Sequence, residues 1–148
     1  METVKKLLVV IGLLSLTACA GVAKAPTHLD QQAKSFKTNS KYAQVYVYRN
    51  EYLGGAFSMP VTVNGKLAGE TGPKSFFKFN LKPGEYKITS QEDTSSLTIN
   101  TKPGKNYFVW QEVKMGFFGA NSKLQLVDDA TGKAGVMECS LIESSIGK

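Results

Sequence analysis

Few side chains in this 148-residue chain have the chemistry of a catalyst. The thiols are Cys19 and Cys139, the single imidazole is His28, and carboxylates stand side by side at Glu92-Asp93 and Asp128-Asp129. A nucleophile needs a base to take its proton and a third group to orient that base. His28 sits in a polar stretch with no ligand set near it, and no Gly-x-Ser-x-Gly occurs. Cys139 has no candidate base in sequence. Val136 and Leu141 flank it at helical spacing, which predicts a small core residue rather than a reactive thiol. The carboxylate pairs fall at turns, where Asp hydrogen-bonds its own backbone, and no further ligand has the spacing of a metal site. Gly54-Gly55 is not followed by Lys-Ser or Lys-Thr, so there is no phosphate loop. The expectation is a protein with no catalytic residues, no cofactor and no metal. The competing expectation is a hydrolase or small-ligand-binding protein whose carboxylates converge only in the fold, as acid and base across a cleft.

Cys19 has another kind of chemistry. Lys5-Lys6 precede twelve mostly apolar residues, 7–18. That run is too short for a membrane span, which needs about 20 residues. A charged start, a short apolar run and small residues at its end predict a signal peptide. It ends in Leu16-Thr17-Ala18-Cys19, which resembles the lipobox of bacterial lipoproteins: an aliphatic residue, two small ones, then Cys. The resemblance implies that the Cys19 thiol is joined to diacylglycerol, that the peptide is cut before it, and that the new amine is acylated. A single acyl chain anchors marginally, whereas two or more hold. Ala20 rather than Asp follows the Cys, and similarity to lipoprotein sorting in diderm bacteria then implies the outer membrane, periplasmic face. The expected organisation is a signal peptide at 1–18, a flexible tether at 19–41 and one β domain at 42–148. The tether is read from its Ala, Lys, Gln, Thr and Ser content and Pro26, with one or two helical turns over 29–36. The expected partners are the membrane, through lipid on Cys19, and an envelope protein.

Loss of residues 1–18 removes two lysines and Glu2, so the net charge of +6 falls to +5. A basic balance can mean nucleic acid or anionic membrane. Here the lysines are scattered singly and Arg49 is the one arginine. Base readout uses clustered Arg and Lys, so no nucleic-acid partner is expected.

The elements that carry these residues are strands. Lys-Pro-Gly occurs twice, at residues 82–84 and 102–104, and Pro-Gly suits the central pair of a type II turn. An aromatic strand start follows each, Tyr86 and Tyr107. Val45 and Val47 alternate with Tyr46 and Tyr48, predicting a first strand over 43–49 with two usable faces. Asn64-Gly65 predicts a type I′ hairpin between strands at 61–63 and 66–70. Phe77, Phe79 and Leu81 share a face of a strand at 76–81. Further strands are expected at 84–91, 95–101, 105–113 and 123–127, the last with Leu124 and Leu126 facing inward. In the seventh, Phe108 and Trp110 oppose Tyr107 and Val109, so it is expected to be covered on both sides. Val136, Cys139 and Ile142 recur every three residues, predicting a short helix from Asp128 weakened by Gly132 and Gly135. Short strands with frequent turns predict an all-β fold, an antiparallel sandwich of seven or eight strands with a short C-terminal helix.

Over 34–142 the segments AKSF, YVYRNEYLGG, V-x-V-N-G-K-x-x-G, LKPGEY, PGKNYF, QEVKMG and DDATGKAGVMECSL resemble a bacterial family catalogued as a domain of unknown function, DUF2846. That resemblance implies secreted proteins and lipoproteins and supplies no activity. Within it, residues 61–89 are similar to the PEGA repeat, a small β-sandwich module of bacterial surfaces. The departure is Gly72, which separates Thr71 from Pro73 where the PEGA pattern has Thr-Pro.

Two loops are apolar where loops are usually polar. Leu53 and Phe57 bound one between the first two strands. Met115, Phe117 and Phe118 occupy the other, between the seventh and eighth. Gly116 and Gly119 bracket the two rings, so the backbone can turn while both project. Such loops either fold back to cap the core or form a contact patch for membrane, envelope protein or ligand. These five residues are the candidate contact positions.

Overall fold

The computed structural model describes residues 22–53, 55, 57–91 and 95–148. Cys19 and the Glu92-Asp93 pair lie outside them. The elements are α1 (Thr27–Ala33), β1 (Ala43–Arg49), β2 (Met59–Val63), β3 (Lys66–Thr71), β4 (Ser75–Leu81), β5 (Gly84–Ser90), β6 (Ser95–Thr101), β7 (Asn106–Gly116), β8 (Gly119–Val127), α2 (Asp129–Met137) and β9 (Ser140–Leu141). They form two stacked sheets, ordered β8-β7-β1-β4-β9 and β3-β2-β5-β6. The all-β sandwich with a short C-terminal helix is therefore what the chain forms. Within the larger sheet two pairings are parallel, β1 with β7 and β4 with β9.

β1 lies at the centre of that sheet and is buried along its whole length. Its alternation divides the molecule. Val45 and Val47 face the smaller sheet and join Val61, Val63, Phe77, Phe79, Ile88, Ile99, Val109 and Leu124 in the inter-sheet core. Tyr46 and Tyr48 face the other way, into a second core with Phe76, Phe108, Val136 and Cys139. β7 repeats the division, with Val109 and Tyr107 on one side and Phe108 and Trp110 on the other. Leu126 departs from expectation: β8 is the edge strand of the larger sheet, and Leu126, opposite Val109, is left exposed there, whereas Leu124 is buried.

The Asn64-Gly65 and Pro103-Gly104 turns close as their sequences dictate, whereas at Pro83-Gly84 the chain passes directly into β5 with Gly84 at φ 157°, not the roughly +80° of the expected type II turn. Asn64 (φ 48°) and Gly65 (φ 77°) adopt the left-handed pair of a type I′ turn, and Asn64 Oδ1 accepts from the Lys87 amide at 2.8 Å. Gly104 has the positive φ of 74° that a type II turn requires. The tyrosines after the two Lys-Pro-Gly segments lock them. Tyr86 Oη donates to Lys82 O at 2.7 Å, and Tyr107 Oη accepts from the Lys102 amide at 2.8 Å.

The aromatic outer face of the larger sheet must be covered. Residues expected in the tether supply half of that cover, and here the structure departs from a free tether. Ala25 donates its amide to Leu141 O, and the Asp30 carboxylate accepts from the Leu141 amide at 2.7 Å. The Tyr46 hydroxyl donates to Ala33 O at 3.0 Å, and the Phe36 ring lies 5.5 Å from Tyr46 and 5.8 Å from Phe108. α2 supplies the other half. Asp128 caps it, its carboxylate accepting from the amide and hydroxyl of Thr131, which hold the Asp128 carboxyl below its ordinary range. Asp129 pairs with Lys133 one turn on, so the Asp128-Asp129 pair serves the helix. The helix ends at Met137, and the three-residue spacing does not continue as one face. Val136 and Cys139 enter the outer core, whereas Ile142 enters the inter-sheet core. Among the described residues no helix is long and apolar enough to cross a membrane.

Candidate functional site

β1 ends at Arg49, whose side chain is wholly buried. Its guanidinium organises one end of the sandwich. Nη1 donates to Phe57 O at 2.8 Å and to Thr71 O at 3.2 Å, and Nη2 donates to Leu53 O at 3.3 Å. One planar fork thus pins both arms of the 50–58 loop to the end of β3, which a lysine ammonium cannot match in geometry. Burial lowers the Arg49 pKa and nearby Glu51 opposes the shift. Burial also raises the Glu51 carboxyl, against the Glu51 and Val113 amides and Arg49, which draw it down.

Beneath this loop a polar chain crosses between the sheets. Thr71 Oγ1 donates to Met59 O and to Gln111 Oε1, Gln111 Nε2 donates to Ser90 Oγ at 2.6 Å, and Ser90 Oγ meets Ser122 Oγ at 2.5 Å. All four side chains are buried. Beside them Met59, Val113 and Ala120 form a small apolar cluster. Together they hold the base of the β7–β8 hairpin.

That hairpin runs beyond the sheet. β7 pairs with β1 as far as Trp110 and then with β8 alone, to Gly116 opposite Gly119. The expected loop over 115–119 is therefore a hairpin tip, with Phe117 and Phe118 as its two end residues. Their exposures are 99 % and 100 %, and the rings meet edge to face at 5.4 Å. Met115 and Phe57 are exposed at 53 % and 44 %. A methyl on Gly119 would sit 3.8 Å from Phe57 Cζ, so the Phe57 ring lies against the hairpin just below its tip. Folding thus brings Phe57, Met115, Phe117 and Phe118 to one end. Leu53, also exposed, belongs to the same Arg49-held loop. The role of Arg49 and the Thr71–Gln111–Ser90–Ser122 chain was not foreseen from sequence. The one usable signal was a lone arginine at the end of a strand in a lysine-rich chain.

The other chemical candidates are placed elsewhere. Cys139 is buried, its thiol directed at Gly135 O (3.3 Å) and Arg49 O (3.4 Å), and burial pushes its pKa up to about 12. It packs as a core residue, and such a thiol has little thiolate to react. His28 is exposed on α1. Among the described residues no three His, Cys, Asp or Glu side chains come together as a metal would need. The carboxylates of Glu51 and Glu112 are near enough to repel. Glu112 is engaged by Lys114 Nζ at 2.6 Å and Gln125 Nε2 at 2.5 Å. Neither glutamate lines the cavity of about 440 Å³ that opens between α1, β4 and the C-terminal segment, where Leu29, Lys78, Asn80 and Ile146 meet. Burial lowers the Lys78 pKa there.

A family model described as a protein of unknown function, DUF2846, matches residues 39–123. A Haemophilus influenzae protein, described as uncharacterized, is 34 % identical over 134 residues, which cover 88 % of this chain and 80 % of that one. The chain belongs to the DUF2846 family. No solved structure matches it. In this DUF2846 protein the matched segment begins before β1 and ends within β8, so it contains Arg49, the 50–58 loop and the whole hairpin tip.

Proposed function

We propose that this DUF2846 protein is a lipid-anchored envelope module without enzymatic activity, held on the periplasmic face of the outer membrane through acylated Cys19. Its contacts are made by the aromatic end of the sandwich. The observation that carries this reading is the Phe117–Phe118 pair, two rings left entirely in water on a hairpin whose base is pinned by buried hydrogen bonds. Large apolar groups exposed together mark interaction surfaces. The apolar run ending in Leu16-Thr17-Ala18-Cys19 supports the anchor, and the PEGA-like stretch over 61–89 fits a surface module.

Two results are expected. Cys19→Ser abolishes fatty-acid labelling and moves the protein out of the membrane fraction. Unchanged labelling would end the anchor reading. Phe117→Ala with Phe118→Ala leaves the melting temperature within about 2 °C of wild type, because exposed rings add little of the roughly 1.5–3 kcal/mol that burial gives each one. The same double variant loses the crosslinks that the wild type forms in the intact envelope. A drop of many degrees would mean that the tip caps the core, and retained crosslinks would place the contact elsewhere.

A further inference from the structure

Val22 packs against Gly72: a methyl on Gly72 would sit 2.9 Å from Val22 Cγ2. Gly72 follows Thr71, whose carbonyl Arg49 holds, and its neighbour Pro73 lies against the 50–58 loop, 3.5 Å from where a methyl on Gly55 would stand. Val22 therefore lies at the Arg49 end of the domain. β7 is parallel to β1, so the hairpin tip projects from that same end.

The lengths agree. Three residue steps separate Cys19 from Val22, a reach of about 10 Å at most. Residues 111–116 carry β7 past its last pairing with β1 by roughly 20 Å at strand rise. With Cys19 at a bilayer surface, the sandwich standing over it and the Cys19–Val22 segment at its full reach, the tip passes that surface by about 10 Å, the depth at which interfacial apolar groups sit.

We propose that the Phe117–Phe118 tip inserts into the headgroup–acyl boundary of the same bilayer that holds the lipid on Cys19. The proposal rests on the lipid-anchor reading above and names what that contact is. Two rings offer roughly 300–500 Å². A standard protein interface buries about 800 Å² on each partner, whereas a bilayer requires no matching surface. Aromatic rings are enriched at this depth. Residues 115–120, Met-Gly-Phe-Phe-Gly-Ala, carry no charge, so insertion buries none. Above the tip, Lys114 pairs with Glu112 at 2.6 Å and Lys123 stands opposite Glu112 on the neighbouring strand, so the three side chains leave a net charge of +1 facing the headgroups, which anionic lipid favours. The fatty anchor supplies affinity, and the tip sets orientation, holding the sandwich upright rather than free to swing about Cys19.

The test uses the full-length acylated protein with Phe118→Trp, in vesicles of phosphatidylethanolamine and phosphatidylglycerol. The wild type, with Trp110 alone, supplies the background. Position 118 is fully exposed, so the substitution leaves the fold intact. Lipids brominated near the headgroup should quench the added fluorescence about twofold, and lipids brominated deep in the chain should quench less, as expected for a depth of about 5–10 Å. Trp110 should not respond. An indole at position 118 untouched by bromolipid, on protein that mass spectrometry shows to be acylated, overturns the proposal and leaves the anchor standing. Protein without acyl chains on Cys19 overturns both. A photo-crosslinker at position 118 that captures a protein rather than lipid in the intact envelope also overturns the proposal, in favour of a protein partner.

Discussion

Gly135→Ala destabilises the fold, although alanine is the better helix former. The helix gains roughly 1 kcal/mol from the exchange. The new methyl, however, would lie 2.2 Å from Tyr48 Cε2 and 2.6 Å from Tyr48 Cζ. Tyr48 is 2 % exposed and packs in the outer core on a strand buried on both faces, so its ring has nowhere to go. α2 must lift off the sheet, loosening Val136 and Cys139 behind it. Overpacking costs about 1–3 kcal/mol and more where the backbone cannot yield, and a net loss of roughly 2 kcal/mol lowers the melting temperature by about 5–10 °C in a domain of this size. Gly132→Ala should behave alike, its methyl falling 2.2 Å from Phe108 Cβ and Cγ. Lys133→Ala, on the same helix, removes only a surface pair with Asp129 and an ammonium 5.8 Å from the Phe36 ring centre. It should cost about 1 kcal/mol or less. Thermal melts of the three variants check this. A Gly135→Ala protein as stable as wild type would show that α2 does not seat as described.

Arg49→Met should cost more, about 3–5 kcal/mol. The apolar stem is replaced, but the carbonyls of Leu53, Phe57 and Thr71 lose a buried cationic donor at once. Hydrogen bonds to charged groups contribute about 1.5–3 kcal/mol, and buried acceptors left without partners cost on the same scale. Arg49→Lys should fall between, since an ammonium keeps the charge but cannot span three carbonyls in one plane. Urea unfolding should show both losses as lower midpoints with an unchanged slope. The amides of the 50–58 loop should exchange faster in Arg49→Met, because the loop is no longer tied to β3. Unchanged exchange there would mean that the loop is held by other contacts. The aromatic end would suffer too: the loop carries Phe57, whose ring braces the hairpin at Gly119. A stability defect and a contact defect are therefore expected together in Arg49 variants, and a contact defect alone in the Phe117/Phe118 double variant.

Much of the candidate site was legible because it violates a local rule. Two phenylalanines between two glycines conflict with turn chemistry, and that conflict is visible without a fold. The supports of the site were not legible. Thr71, Ser90, Gln111 and Ser122 come from four strands of two sheets, and nothing in their neighbouring residues distinguishes a buried hydroxyl from a solvated one. Nor could spacing indicate that Phe57 reaches Gly119 across more than sixty residues of chain.

What the sequence determined by itself is what depends on neighbours along the chain. Side chains alternate with period two in a strand, so the opposed faces of β1 and β7 were readable from Val45, Tyr46, Val47 and Tyr48 and from Tyr107 to Trp110. Asn64-Gly65 and Pro103-Gly104 specify their turns through backbone sterics alone. What only the tertiary structure decided depends on partners far away in sequence. The parallel pairing of β1 with β7 joins strands more than sixty residues apart, and periodicity carries no information about which strand lies alongside. Residues 24–36 read as a polar tether, yet they cover an aromatic face because that face exists only once the sheet has formed. Gly132 and Gly135 look like weak points of a helix. They are where the helix meets Phe108 and Tyr48, because absence of a side chain is a cost measured along the helix and a fit measured across to the sheet.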